Sequence, residues 1–197
     1  MDNSLRHALD GELDAIRKDP LAAVGFGEKA YLPWSTTVGA GLVSTPDPAA
    51  TSMLADAIDG ADDPVVALAL LHVLGQRADD GVDQVLLHAL DSPPLRATAA
   101  YLLGRVGYRG YPRRDRDDAA VVGSLRGYLD DAAAFEDPFL HKTFQRRDFV
   151  VAALVRLLGV ERFTGIDDRQ APMIGLALPE FTEEQRKDLT SQLGRLT

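Results

Sequence analysis

The sequence predicts an all-α fold of antiparallel helix pairs that stack on one another, and a recurring pattern of helix ends carries this prediction. A Leu-Gly pair closes an apolar run three times, at residues 74–75, 103–104 and 158–159. An apolar residue followed by Asp closes three other runs, at residues 58–59, 90–91 and 129–130. The two endings alternate along the chain, so the pattern indicates a repeated unit of two helices.

The N-terminal region differs from these repeats. Residues 3–18 form a predicted amphipathic helix, because large apolar side chains recur on one face at helical spacing. These side chains are Leu5, Leu9, Leu13 and Ile16. Residues 25–47 are rich in Gly, Thr, Ser and Pro and contain the single tryptophan, Trp34. We expect an ordered loop there, so residues 1–47 form an atypical N-terminal region.

Three helix pairs are predicted after this region. Their bounds are 48–60 with 64–77, 81–91 with 94–106, and 118–131 with 144–158. The turns at Asp63-Pro64 and Ser92-Pro93-Pro94 mark helix starts, because Asp or Ser can cap a helix and Pro fits its first turn. Glycine suits the left-handed residue that often follows a helix, which explains the Leu-Gly endings.

The second helix of the second pair has two distinct faces. Leu95, Ala99 and Leu102 follow helical spacing on one of them. Small residues occupy the other face, at Ala97, Ala100 and Gly104. A face of small residues lets a neighbouring helix approach closely, so we expect this helix to be buried on two sides, as in the inner layer of a solenoid.

The segment Leu95-Arg96-x-x-Ala99-Ala100-x-x-Leu103-Gly104 resembles the second helix of a HEAT-like repeat, including the Arg after the first apolar position. The resemblance covers roughly residues 48–160. The first and third pairs depart from it, with Ala67 and Val151 near the Arg position. The resemblance implies a short right-handed superhelix of antiparallel helix pairs, with the second helices on its concave side.

Two insertions interrupt the repeats, and a helix follows them. The insertions are residues 107–117, which are rich in Arg and Tyr, and residues 132–143, and we expect both to be loops, as insertions in a solenoid usually are. Residues 161–197 form a connection and a C-terminal helix from about 182 to 195, which Thr182 and Gln185 start as a capping box. We expect one domain over residues 1–197, with this helix capping the stack.

The composition restricts the functions that fit this chain. The net charge is −9, and residues 1–100 carry 6 Lys and Arg against 15 Asp and Glu. An acidic half repels phosphate backbones, which disfavours nucleic-acid binding. There is no cysteine, so thiol catalysis and thiolate metal sites are excluded. No apolar stretch is long enough for a membrane span, and the N-terminus does not resemble a secretory signal, so we expect a cytoplasmic protein.

The candidate binding residues lie on the second helices and in the first insertion. Alignment of the Leu-Gly endings predicts an exposed ridge on the concave side, formed by His72, Tyr101, Arg105 and Arg156. Thr98 lies beside this ridge. Arg109, Arg113 and Arg114 lie in the adjoining insertion, among tyrosines. Arg and aromatic side chains are frequent anchors in interfaces, so we expect a protein or peptide partner, with an acidic one favoured by the arginines.

Two other classes of function stay open. One is an enzyme on a HEAT-like scaffold that resembles a lyase and binds a small molecule. Such an enzyme would need a closed pocket with a buried acid or base. The other is a self-associating structural protein, in which the acidic half of one copy meets the Arg-rich insertion of another. No residues are assigned to catalysis, to a metal or to a cofactor, because the usual motifs for these are missing.

Overall fold

The computed structural model describes residues 3–24, 38–77, 79, 81–104, 118–166 and 180–196. Helices make up most of this part of the chain, so the predicted all-α class is confirmed at that level. The helices are α1 (Asn3–Lys18), α2 (Pro20–Val24), α3 (Ala40–Ser44), α4 (Ala49–Asp59), α5 (Pro64–Leu74), α6 (Gly81–Ala89), α7 (Arg96–Gly104), α8 (Asp118–Arg126), α9 (Arg146–Leu158) and α10 (Glu183–Arg195). A hairpin of β1 (Ala134–Asp137) and β2 (Lys142–Gln145) and a 3-10 turn (Val160–Arg162) complete the elements.

The chain divides into two compact units. The first unit contains Met1–Leu86 and Asp137–His141, and the second contains Leu87–Glu136 and Lys142–Thr197. Each unit is built around one apolar helix, which is α5 in the first and α9 in the second. The two units are therefore described one at a time.

In the first unit, α5 lies at the centre of the packing. Asp63 caps it by accepting a hydrogen bond from the backbone N–H of Val65 at 2.8 Å, and Pro64 occupies the first turn, as the sequence predicts. Nine of its eleven residues are buried, from Val66 to Leu74. Helices α1, α2, α3 and α4 all pack against α5, which explains why it has no polar face.

The N-terminal region contains two short helices that the sequence did not predict, α2 and α3. Helix α1 is present as expected, with Leu9, Leu13 and Ile16 buried. Residues 40–44, which were predicted as loop, form α3 instead. The Glu12 carboxylate stabilises the start of α3 by accepting hydrogen bonds from the backbone N–H groups of Gly41 at 3.1 Å and Leu42 at 3.0 Å. Trp34 lies outside the described residues.

In the second unit, α9 takes the central position. Its residues from Asp148 to Val155 are all buried, and α7, α8 and α10 pack on it. The predicted small-residue face of α7 makes the close approach. A Cβ atom on Gly104 would lie 2.7 Å from the Cα atom of Ala153, so only glycine fits at this crossing. The expectation that this face allows a helix to come near is confirmed.

Residues 132–143 were predicted as a loop, and this is corrected by the structure. Most of them belong to the β1–β2 hairpin. The hairpin is anchored by Phe135 and Phe144, whose rings meet the ring of Phe149 edge to face at centroid distances of 5.6 and 5.4 Å. At the hairpin tip, Asp137 Oδ1 accepts hydrogen bonds from the backbone N–H groups of Phe139 and Leu140.

The predicted helix pairs agree with the observed helices, with one shift. Helices α4 to α7 begin and end within three residues of the predicted bounds wherever the structure describes those bounds, and the largest difference is at α5, which ends at Leu74 rather than at residue 77. The first helix of the third pair is shorter than predicted, because α8 ends at Arg126 and turns follow it. The C-terminal helix is confirmed, with Thr182 and Gln185 forming a complete capping box. No helix in the described part of the chain is both long and apolar enough to span a bilayer.

Candidate functional site

The predicted ridge of exposed side chains is only partly present. His72 is 9 % exposed, and the edge of its ring meets Phe139 at a centroid distance of 5.7 Å within the first unit. Thr98 is 4 % exposed. The prediction that these two side chains face solvent is therefore wrong, because α5 and α7 are packed on more sides than an amphipathic surface helix.

Two other predicted residues are partly exposed. Tyr101 on α7 and Arg156 on α9 belong to the second unit, where their two helices pack together. Arg105, Arg109, Arg113 and Arg114 lie outside the described residues. The second unit thus keeps two members of the predicted ridge on adjacent helices, and the role of the arginines stays a prediction.

An open cleft of about 590 Å³ lies elsewhere in the second unit. It is bounded by the hairpin, by the first turn of α9 and by the segment that leads into α10. Its lining mixes charged, polar and aromatic side chains. The lining residues are Ala132, Ala134, Lys142, Thr143, Phe144, Gln145, Asp148, Glu180, Phe181, Thr182 and Arg186.

The deepest charges in this cleft form a buried ion pair. Arg186 donates from Nε to Asp148 Oδ1 at 2.5 Å and from Nη2 to Asp148 Oδ2 at 2.9 Å. The side chains are only 8 % and 5 % exposed, respectively. Glu183 and the backbone carbonyl of Phe181 accept the remaining hydrogen bonds of the guanidinium. The pair therefore fixes α10 against α9 with paired charges at the base of the cleft.

The hydrogen bonds of this pair also act on the pKa of Arg186. The bond to Asp148 raises that pKa above its already high ordinary value, and burial opposes this shift. The charges of Asp148 and Glu183 add to the rise. Arg186 is consequently a permanent cation that holds its partner in place, and it has no part in proton transfer.

The rim of the cleft carries exposed charges of both signs. Lys142 on β2 pairs with Glu180, and their side chains are 49 % and 66 % exposed. Beside the lining residue Thr182, Glu183 is 76 % exposed and also lies 3.7 Å from Arg147 Nη2. Pairs this exposed contribute little to stability, so these side chains are available to a partner at small cost.

A second charged cluster lies in the same unit and links the second helix pair to the third. Arg96, which is near the start of α7, donates from Nη1 to Asp131 at 2.5 Å and from Nε to the carbonyl of Leu90 at 2.7 Å. Its guanidinium carbon lies 4.4 Å from the centre of the Tyr128 ring. The Tyr128 hydroxyl donates to Asp91 at 2.5 Å, and this bond is the main reason that the pKa of Tyr128 is raised.

This cluster also changes the pKa of Asp131. Burial favours the neutral acid, but the hydrogen bonds from Arg96 and from the backbone N–H of Ala133 outweigh it. Attraction to Arg96 and Arg146 acts in the same direction, so the pKa is lowered. Arg96 with Asp131, and Tyr128 with Asp91, are joined by hydrogen bonds, which is the arrangement expected of a structural network.

Arg186 was missed by sequence reasoning, and its pairing with Asp148 had no local signal. The capping box at Thr182 marks the start of α10, but nothing in the sequence connects a residue of α10 to one that lies 38 positions earlier. Among the described residues, no group of three His, Asp or Glu side chains is arranged to hold a metal ion.

Comparisons of this chain with protein-family models, with curated proteins and with solved structures find no match.

Proposed function

We propose that this protein is a non-catalytic scaffold that holds a segment of another protein in the cleft of the second unit. The open shape and the mixed lining of the cleft support this proposal. Both carboxylate oxygens of Asp148 are engaged by Arg186, so the buried acid of the cleft is occupied rather than poised to take a proton from a substrate. Fixed walls with exposed polar groups at the rim suit recognition.

The helix pairs are HEAT-like repeats in this proposal. The positions of α4 to α9 support it, as does the ion pair from Arg96 to Asp131, which joins consecutive pairs through the Arg of the motif. Arg105, Arg109, Arg113 and Arg114 would add contacts beside the helices, and the cytoplasm remains the proposed location. An experimental structure in which the paired helices do not run antiparallel would contradict the repeat assignment.

The proposed cleft can be tested with a library of random peptides displayed on phage. Fluorescence anisotropy then measures the affinity of the selected peptides for the wild-type protein and for the Ala134→Trp variant. This substitution places an indole in the cleft. We expect the affinity to fall about tenfold or more, a loss of roughly 1.4 kcal/mol of binding free energy, because the ring occupies the binding space.

Ala133→Trp is the matched control for this experiment. Ala133 is the exposed neighbour of Ala134 and does not line the cleft, so the same substitution there should leave the affinity unchanged. Recovery of no peptide, or of peptides that bind Ala134→Trp as well as the wild type, would contradict the proposed function.

A further inference from the structure

The cleft runs along the edge of a β-strand. All four residues of β2, from Lys142 to Gln145, line it, whereas β1 contributes only Ala134. Side chains alternate between the two faces of a strand, so a cavity over one face would touch every second residue. Contact with four successive residues instead indicates a cavity beside the strand, next to its backbone.

This edge of β2 is the position at which another strand can pair. In the described part of the chain, β2 has one strand neighbour, which is β1. A strand with one neighbour presents backbone N–H and C=O groups on its other side, and these groups can pair with an added strand. Addition of an extended peptide at a sheet edge is a recurring mode of peptide recognition.

The charges around this edge favour a basic partner. Glu180, which lines the cleft, and Glu183, which follows the lining residue Thr182, are 66 % and 76 % exposed, while Lys142 is 49 % exposed and Arg147 is 24 % exposed. Glu184, in the same first turn of α10, is also exposed.

We propose that the cleft binds an extended basic segment of a partner protein, which pairs as a third strand with the edge of β2 that lies away from β1. A Lys or Arg of the segment then lies against Glu180 and Glu183, and the backbone of the segment supplies most of the affinity. This inference rests on the proposed function, because it specifies the chemistry of the partner that the same cleft holds.

The test uses the peptides selected from the random library on the wild-type protein. We expect the selected sequences to be enriched in Lys and Arg and in residues that favour strands. Methylation of the backbone nitrogen, scanned along the strongest peptide, should weaken binding about fivefold or more at every second position, because alternate N–H groups of a strand face its neighbour.

Glu180→Gln provides the test of charge. It should weaken binding of the strongest peptide about threefold, since an exposed ion pair contributes little energy. Glu136→Gln is the control, because Glu136 is exposed on β1 but does not line the cleft. This variant should bind the strongest peptide with the affinity of the wild type. The loss at Glu180 should shrink as salt concentration rises.

The outcomes separate this inference from the proposed function. If the peptides that bind in the cleft are acidic, the partner is not basic. If N-methylation weakens binding at successive positions rather than at every second one, the peptide does not bind as a strand. Either result overturns the basic third strand and leaves the scaffold function intact. Equal affinities for Glu180→Gln and the wild type overturn the charge contact. Failure to recover any cleft-dependent peptide removes both proposals.

Discussion

At the scale of single residues, the contact between Gly104 and Ala153 sets the distance between α7 and α9. A Cβ atom on Gly104 would lie 2.7 Å from Ala153 Cα and 2.9 Å from Ala153 Cβ. The nearer of these atoms is backbone at the centre of a buried helix, so it cannot move aside as a flexible side chain would. The crossing therefore depends on the absence of a side chain at residue 104.

We predict that Gly104→Ala destabilises the protein despite the higher helix propensity of alanine. The added methyl group forces α7 away from α9, and overpacking of this kind costs about 1–3 kcal/mol. Urea denaturation measures the change in the free energy of unfolding. Gly123→Ala on α8 is the control, because no atom lies within 4 Å of its added Cβ, and it should stabilise the protein by about 0.5–1 kcal/mol. Equal effects of the two substitutions would contradict the close crossing.

Asp131 gives a prediction about pH. Its lowered pKa means that the folded state binds the proton more weakly than the unfolded state, whose ordinary value is 3.8. The stabilisation by this carboxylate is therefore complete above that value and is lost as pH falls through the lower pKa of the folded state. Asp131→Asn should cost about 2 kcal/mol near neutral pH, because a hydrogen bond from a guanidinium is removed.

The measurement is urea denaturation of Asp131→Asn and wild type from neutral pH to below the ordinary pKa of aspartate. The difference between their free energies of unfolding should narrow in the acid range, since wild type has then lost the charge as well. Asp130→Asn changes the exposed neighbouring residue and should have almost no effect at any pH. A difference that stays constant with pH would contradict the role of the charge.

At the scale of elements, the position of α10 depends on a few contacts. The buried residues of α10 are Leu189, Leu193 and Arg186. The Arg186 side chain binds Asp148 on α9 with two hydrogen bonds. Removing one partner of a buried ion pair leaves an uncompensated charge, whereas replacing both with apolar residues can be neutral. Loss of one partner of the pair should therefore weaken the docking of α10 on α9.

We predict that Asp148→Asn lowers the free energy of unfolding by about 3 kcal/mol or more. The double variant Asp148→Leu with Arg186→Met should recover most of this loss, within about 1 kcal/mol of wild type, because no charge is then left buried. Urea denaturation of the single and double variants measures the coupling. Glu184→Gln is the control, because Glu184 is exposed in the same turn as Glu183 and its substitution should have little effect. If the losses of the two single substitutions add up in the double variant, the two residues do not form a coupled pair.

The helices could be predicted from the sequence, and the hairpin and the buried pair could not. The helices have local signals that tertiary contacts reinforce. These signals are caps, such as Asp63 and Thr182, and apolar residues at helical spacing, such as Leu95, Ala99 and Leu102. The strands are four residues long, too short for alternation to stand out, and their phenylalanines take their position from contact with α9. The exposure predicted at His72 and Thr98 was wrong because burial on several sides depends on neighbours that a single helix pattern does not reveal.

At the scale of the whole molecule, the charge is distributed unevenly. The net charge of −9 arises in residues 1–100. In the first unit, Asp56, Asp59, Asp62 and Asp63 are exposed around the turn between α4 and α5. A surface with this charge repels polyanions.

We predict that the protein does not bind duplex DNA at a salt concentration of about 0.15 M, because too few cations would replace the counterions of the phosphates. Fluorescence anisotropy of a labelled duplex, titrated with the protein, measures this. A clear rise in anisotropy would contradict the prediction. If that rise disappeared with Arg113→Glu and Arg114→Glu together, the Arg-rich insertion would be the nucleic-acid contact.

The pairing of Asp148 with Arg186 has a consequence for biosynthesis. Arg186 is added to the growing chain 38 residues after Asp148, so the carboxylate is made well before the cation that neutralises it. We expect a released chain that ends before Arg186 to keep α9 open to chaperones and proteases, and a chain that continues through α10 to close it.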